Sequence, residues 1–162
     1  MPDTSGDRTD PGLAAGHELQ IGVKLLRPGA RLPARAYDGD AAFDLFSADG
    51  LTLAPLARAV VGTGVALDLP PSVAALTLPR SGLAASHGIS LVNAPGLIDP
   101  GYRGEVKLIL LNTDRAEAFT VRPGDRIAQL LIVTLTQVSL ILKTDLSATE
   151  RGRRGFGSSG RE

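Results

Sequence analysis

Five short stretches of the chain hold residue types that could bind phosphate, activate water or grip a flat ligand. In "LPRSGLAASHGI", positions 78–89, a strand is expected to end at Pro79 and a short helix to open at Arg80 and Ser81. A helix N-terminus exposes unpaired N–H groups and a partial positive charge, so an arginine and a hydroxyl there suit an anion such as phosphate. The plainer reading of the same residues is a Ser81 helix cap beside a surface arginine. His87 is expected to pack or cap, with no catalytic role.

In "NAPGLIDPGYRGE", positions 93–105, Asn93, Pro95, Gly96, Pro100, Gly101 and Gly104 are turn formers. They fit a hairpin whose backbone can approach a flat ligand closely. Asn93 carries both a donor and an acceptor, as the edge of a base such as uracil requires. Asp99 follows apolar Leu97 and Ile98, which makes it a candidate general base in a partly dry site. Tyr102 offers a ring to lie against a sugar. An ordinary β-hairpin with turn-forming Asp and Asn would carry the same residues.

"DAAFDLFSA", positions 40–48, sets Asp44 between Phe43 and Leu45, so its carboxylate faces away from both on a strand. It could hold a metal-bound water, since magnesium keeps most of its hydration shell, or simply face solvent. "GDRIAQLLIV", positions 124–133, reads as a turn and a buried strand with Gln129 as its polar exception. "RGRRGFGSSG", positions 151–160, lacks the Lys-Ser/Thr ending of a phosphate loop, and no helix follows it. What remains is a strap of arginines, glycines and serines with one aromatic, Phe156. Arginines grip phosphates bidentately, Phe156 can stack on a base, and Ser158 and Ser159 can donate to phosphate oxygens. A disordered tail is the alternative.

The elements that must position these residues are strands. Segments such as "SVAALTLP", "EVKLILLN", "RAVVGTGVALDL", "RIAQLLIVTL" and "QVSLILK" are rich in Val, Ile, Leu and Thr, and Gly, Pro, Asn and Asp punctuate them. The one helical candidate is "SGLAASHG", which glycine ends. Many short strands with Gly/Pro turns argue for an all-β sandwich or barrel. Residues 1–18 read as a disordered tail, 19–146 as one β domain and 147–162 as a flexible arm.

The chain has 162 residues, enough for one domain with a substantial core. Seventeen basic and seventeen acidic residues cancel, which disfavours bulk nucleic-acid or membrane-surface binding. Any phosphate site must therefore be built locally. The absence of cysteine excludes disulfides, thiol catalysis and thiolate metal sites. With no signal-type or membrane-spanning apolar run, a soluble cytoplasmic protein is expected.

Taken together and in this order, the stretches resemble the five motifs of the trimeric deoxyuridine triphosphate nucleotidohydrolases (dUTPases). The matching segments are "AAFDL" (41–45), "PRSGLAASHGI" (79–89), "NAPGLIDPGYRGE" (93–105), "GDRIAQL" (124–130) and "RGRRGFGSSG" (151–160). The likeness covers roughly residues 19–160. Ala42 and Phe43 stand where the first motif usually has glycine and tyrosine.

The resemblance implies a jelly-roll-like β fold and a homotrimer, with active sites between subunits and each covered by a neighbour's C-terminal arm. The implied reaction is Mg²⁺-dependent hydrolysis of dUTP to dUMP and pyrophosphate, which limits uracil incorporation into DNA and supplies dUMP for dTMP synthesis. By the same resemblance Asp99 would activate the attacking water, and Asp44 would hold magnesium through water. Arg80, Ser81 and Gly82 would bind the phosphate chain, with Gln129 near the α-phosphate. Asn93 and the backbone at Leu97 and Ile98 would read uracil, Tyr102 would pack under deoxyribose, and Lys107 would lie near the substrate. On the arm, Phe156 would stack on uracil, while Arg151, Gly157, Ser158 and Ser159 would meet the phosphate tail. Two rival readings are a dCTP deaminase or bifunctional relative of the same fold, and a non-catalytic nucleotide-binding trimer. The deaminase needs a glutamate where this chain has Ile109.

Overall fold

The apolar runs become the longest strands of a computed structural model that describes residues 19–155. In chain order the elements are β1 (Gly22–Leu25), β2 (Phe43–Phe46), β3 (Leu51–Leu53), β4 (Arg58–Gly62), β5 (Val65–Asp68) and β6 (Val73–Leu78). They continue with α1 (Ser81–His87), β7 (Ile89–Leu91), β8 (Gly96–Ile98), β9 (Lys107–Asn112), β10 (Phe119–Val121) and β11 (Arg126–Thr134). Every pairing is antiparallel. The sheets run β2-β11-β6-β8, β4-β9-β7, β1-β5 and β3-β10, the short-stranded, jelly-roll-like arrangement expected.

Period-two alternation makes the core. Along β9, Leu108, Leu110 and Asn112 are buried while Lys107 is exposed and Ile109 and Leu111 are half-buried. Leu45, Val61, Val65, Ile89, Leu108 and Ile127 lie at its centre with almost no exposed surface. The expected single strand over "RAVVGTGVALDL" is instead two, β4 and β5, in different sheets. Gly64 separates them at φ 68°, a left-handed conformation that glycine adopts without strain.

The one buried side-chain amide among the described residues is a structural hub. Asn112 is 0% exposed. Its Nδ2 donates to the carbonyls of Leu53 (3.2 Å), Ala54 (3.3 Å) and Glu117 (2.9 Å), and its Oδ1 accepts the Asp114 N–H at 2.9 Å. Asn112→Asp keeps the shape but replaces the donor with a charge facing three carbonyls. It is expected to cost about 3 kcal/mol at neutral pH, with partial recovery at acid pH as the carboxyl protonates. Urea denaturation at two pH values measures both effects.

Helix α1 forms where expected, but Ser81 is its first residue and not its cap. The cap position is Arg80, in extended conformation and without a side-chain cap hydrogen bond. Gly88 ends the helix in the left-handed region at φ 63°, and its N–H bonds back to the Leu83 and Ala84 carbonyls. His87 packs on Phe119, ring centroids 5.2 Å apart, in line with its expected packing role.

The expected strand over "QVSLILK" is not formed. β11 ends at Thr134, and beyond the Leu135 N–H, bonded to the Ser72 carbonyl at 2.8 Å, the chain runs on without regular structure. Val138, Leu140, Ile141 and Leu142 are largely or wholly exposed. A strand needs a neighbour to complete its ladder, and the described residues of this chain offer the segment none. The N-terminal tail, 1–18, and Phe156, Gly157, Ser158 and Ser159 lie outside the described residues. Among the described residues no helix is long and apolar enough to cross a membrane.

Candidate active site

The four-stranded sheet places the candidate residues in two groups. Register sets the first. β11 lies between β2 and β6, with Gln129 opposite Asp44 on one side and opposite Leu78 on the other. Arg80 follows two residues after Leu78. Asp44, Arg80 and Gln129 therefore converge on one concavity of about 440 Å³, lined also by Asp40, Leu78 and Leu131.

Asp44 is 5% exposed, so the solvent-facing alternative does not hold. It sits in a closed ring of contacts. Arg80 Nε lies 3.2 Å from Asp44 Oδ1, Arg126 Nη1 lies 3.2 Å from Oδ2, and Arg80 Nη1 donates to the Arg126 carbonyl at 2.9 Å. Two guanidiniums on one carboxylate leave a net positive charge, which favours an anion. Arg126 is the residue that sequence reasoning missed. The signal was a lone cation opening an otherwise apolar strand directly after the "GD" turn.

The ring also bears on magnesium. Asp44 Oδ1 is buried and has no hydrogen-bond partner among the described residues, because the Arg80 contact is close enough to pair charges but poorly aligned to donate. An orphan carboxylate oxygen suits the water of a hydrated cation. No group of three or more acidic or histidine side chains that could cage a metal occurs among the described residues. The donor set thus fits a cation carried mainly by phosphates and touched by Asp44 through water.

The second group surrounds a concavity of about 230 Å³ lined by Asn93, Leu97, Asp99, Tyr102, Glu105 and Lys107, with Thr77 and Gly96 at its inner side. The expected hairpin over 93–105 is a wide one. β7 and β9 pair with each other, but β8, between them, joins the other sheet against β6. As the outer strand of that sheet, β8 keeps one edge of backbone donors and acceptors free to meet a flat ligand. Gly96 permits this approach, since a Cβ there would collide with Thr77 Oγ1 and come within 3.0 Å of Asn93 Nδ2.

The loop after β8 is held at several points. Tyr102 Oη donates to the Glu105 carbonyl at 3.0 Å, and the Tyr102 N–H donates to the Asp99 carbonyl at 3.1 Å. Arg103 pairs with Asp68 at 2.5 Å. The Glu105 carboxylate accepts from the Gly64 N–H (2.7 Å) and Arg27 (2.9 Å), and Lys107 Nζ stands 3.8 Å from it. Arg27 also binds Asp49 at 2.8 Å. Hydrogen bonds from Arg27 and the Gly62 N–H hold the Asp49 carboxyl below its ordinary pKa.

One expectation changes here. Alternation along β8 turns Ile98 inward and Leu97 outward, and Asp99 is exposed beyond them. The chain by itself therefore does not supply the partly dry setting expected for Asp99. Ser81 and Gly82 are exposed in the first turn of α1, beside Arg80 but outside the lining of either concavity. Arg151 lies in the arm, where its Nε donates to the Arg154 carbonyl at 3.1 Å. The two concavities share no lining residue. Thr77 and Leu78 are successive on β6 and point to opposite faces, one toward each.

Comparison with known proteins accords with this geometry. The dUTPase family model matches residues 29–160. The deoxyuridine 5'-triphosphate nucleotidohydrolase of Tropheryma whipplei is 50% identical over 139 residues, covering 86% of this chain and 95% of that protein. The protein of the same name from Mycobacterium marinum is 50% identical over 145 residues, covering 86% and 94%. Among solved structures, the Staphylococcus bacteriophage 80alpha dUTPase with dUPNHPP superposes with a TM-score of 0.82 at 31% identity, covering 87% of this chain and 98% of that one. A variant of the phage phi11 dUTPase, whose structure reveals the coordination of a structural Mg(II) ion, gives 0.75 at 26% identity, covering 80% and 100%. A match of family model, curated relatives and fold over most of its length means that this chain belongs to the dUTPase family.

Proposed function

We propose that the protein hydrolyses dUTP to dUMP and pyrophosphate with magnesium, in active sites assembled between the subunits of a homotrimer. The observation that carries the assembly is the split site. Asn93, Leu97, Ile98 and Tyr102, assigned to base and sugar, line one concavity of the chain, and Arg80 and Gln129, assigned to phosphate, line another, each open and incomplete. A second copy that brings the β8 loop against Arg80 and Gln129 would complete the site and remove Asp99 from bulk water. The exposed apolar segment 138–142 supports the same reading, since packing it against a neighbour removes apolar surface from water.

In this site the free edge of β8 and Asn93 would pair with uracil. A C5 methyl would meet the closed side at Gly96 and Thr77. Tyr102, held by Glu105, would lie flat under deoxyribose. Arg80 would leave Asp44 for the phosphate chain, with the N–H groups at Ser81 and Gly82 and the Gln129 amide completing the cradle. Arg126 would keep the buried Asp44 paired during that exchange. Magnesium, bound with the substrate, would neutralise phosphate oxygens as charge redistributes. Asp99 would orient water and accept its proton as the water attacks the α-phosphorus, and Lys107 would face the developing negative charge. The arm, carrying Arg151, Phe156, Gly157, Ser158 and Ser159, would close over the substrate.

Ile109 is half-buried on β9, outside the lining of the base concavity, and it cannot shuttle protons. This counts against deamination. A pyrophosphate-release assay on dUTP, dTTP, dCTP and UTP tests the proposal. Release from dUTP alone is expected. Ammonia from dCTP, or tight dUTP binding with no pyrophosphate, would replace it with one of the rival readings.

Gly82 gives a test of the phosphate cradle that is separable from folding. A Cβ at this helical position meets no atom within 4 Å. Gly82→Ala should leave stability unchanged or raise it by up to about 1 kcal/mol. If the backbone at Gly82 contacts phosphate, the added methyl should lower kcat/KM for dUTP by about 10²-fold. Thermal denaturation and steady-state kinetics on the same preparation separate the two.

A further inference from the structure

A third concavity, of about 370 Å³, lies beside the phosphate half-site and is lined by Arg31, Arg35, Arg126, Asp44, Asp125 and Phe46 among others. Ala36 and Asp44 line both this concavity and the phosphate half-site, so the two adjoin. Two of its arginines are held in place by aromatic rings. The Arg31 guanidinium lies 4.5 Å from the centroid of Phe46, and that of Arg35 lies 4.4 Å from the centroid of Phe43. Cation–π attraction to a ring face restrains each guanidinium before any ligand arrives.

Those donors are largely unspent. Arg31 Nη1 makes one long bond, 3.4 Å, to the Gly124 carbonyl. Among the described residues neither Arg31 nor Arg35 forms an ion pair. Of the two acids that face the concavity, Asp44 is already shared by Arg80 and Arg126. Asp125 accepts the Arg122 N–H at 2.7 Å. Three arginines against two carboxylates leave the concavity cationic, with ring-restrained guanidiniums able to bind an anion bidentately. The volume equals that of about a dozen waters at roughly 30 Å³ each, room enough for two linked phosphate groups.

We propose that this concavity is a second anion subsite that takes pyrophosphate, holding the product of the reaction one step from where it is released. The proposal rests on the dUTP reading for the origin of its ligand. Arg31 and Arg35 have no part in the catalytic site described above, so their loss should touch the product and spare the chemistry.

The test uses the full-length protein saturated with magnesium and α,β-imido-dUTP, which blocks the substrate site, and titrates pyrophosphate by calorimetry. One additional pyrophosphate per chain is expected, bound at least tenfold more tightly than orthophosphate. The Arg31→Gln/Arg35→Gln double variant should lose at least tenfold of that affinity, while its initial rate on dUTP and its affinity for the analogue stay within twofold. The proposal is overturned if the analogue-saturated protein binds no pyrophosphate, if binding displaces the analogue, or if the double variant binds as well as the parent. Failure of the dUTP reading would show separately as absence of analogue binding. Pyrophosphate titration of the ligand-free protein, parent against double variant, would then decide the subsite by the same tenfold criterion.

Discussion

Replacing Asp99 with asparagine is expected to lower dUTP turnover by about 10²- to 10⁴-fold, the usual worth of a positioned general base. The change is isosteric, and in this chain Asp99 is an exposed residue after an edge strand. Its backbone carbonyl accepts the Tyr102 N–H, a bond that the substitution leaves alone. Denaturation midpoint and oligomeric state should therefore match the parent. Affinity for the non-hydrolysable analogue should fall by less than about threefold, because a carboxamide keeps one acceptor and removes a charge near phosphate. Loss of rate with retained binding places Asp99 in the chemical step. Parent-like turnover would show that another group accepts the proton.

Deleting residues 148–162 should leave the fold and the assembly intact while turnover falls by about 10²-fold or more. The described part of this segment contributes no core residue. Its contacts are local turns, such as Gly152 N–H to the Thr149 carbonyl at 3.1 Å and Arg154 N–H to the Arg151 carbonyl at 3.2 Å. Closing such a strap costs about 2–5 kcal/mol of ordering. A ring stacked on a base returns about 1–3 kcal/mol, which barely offsets that cost. Charge-assisted hydrogen bonds to phosphate, about 1.5–3 kcal/mol each, must supply the surplus. Deletion should accordingly weaken a triphosphate analogue by about 10- to 10²-fold, at 1.4 kcal/mol per decade, and hardly change dUMP affinity. Calorimetry with both ligands checks this. Equal losses for the two would mean that the arm reads the base and not the phosphate tail.

The places where the single chain departs from local expectation share one physical cause. Asp44 on a strand between apolar neighbours reads equally well as solvent-facing, because nothing local says what packs over it. Its burial depends on Arg80 and Arg126, 36 and 82 residues away, which the β2-β11-β6 register brings to it. Asp99 reads as partly dry from its apolar neighbours, but within the single chain strand alternation leaves it on the outside. The segment "QVSLILK" has strand-forming residues, but propensity cannot create the partner a ladder needs. Gly64 interrupts an apolar run that local pattern alone would have continued.

By itself the sequence determined the class and the chemistry. Short β-rich runs between Gly and Pro turns, one glycine-ended helix and five motifs in order require only local information: side-chain period, turn-forming residues and residue type at fixed spacing. Tertiary structure alone decided which residues meet. It gathered Asp44, Arg80 and Gln129 around one concavity with Arg126 bound to Asp44, set the free edge of β8 elsewhere, and left each half open. The reason is that strand pairing is non-local. Register and sheet order follow from burying every apolar face at once, and no window of neighbouring residues contains that condition.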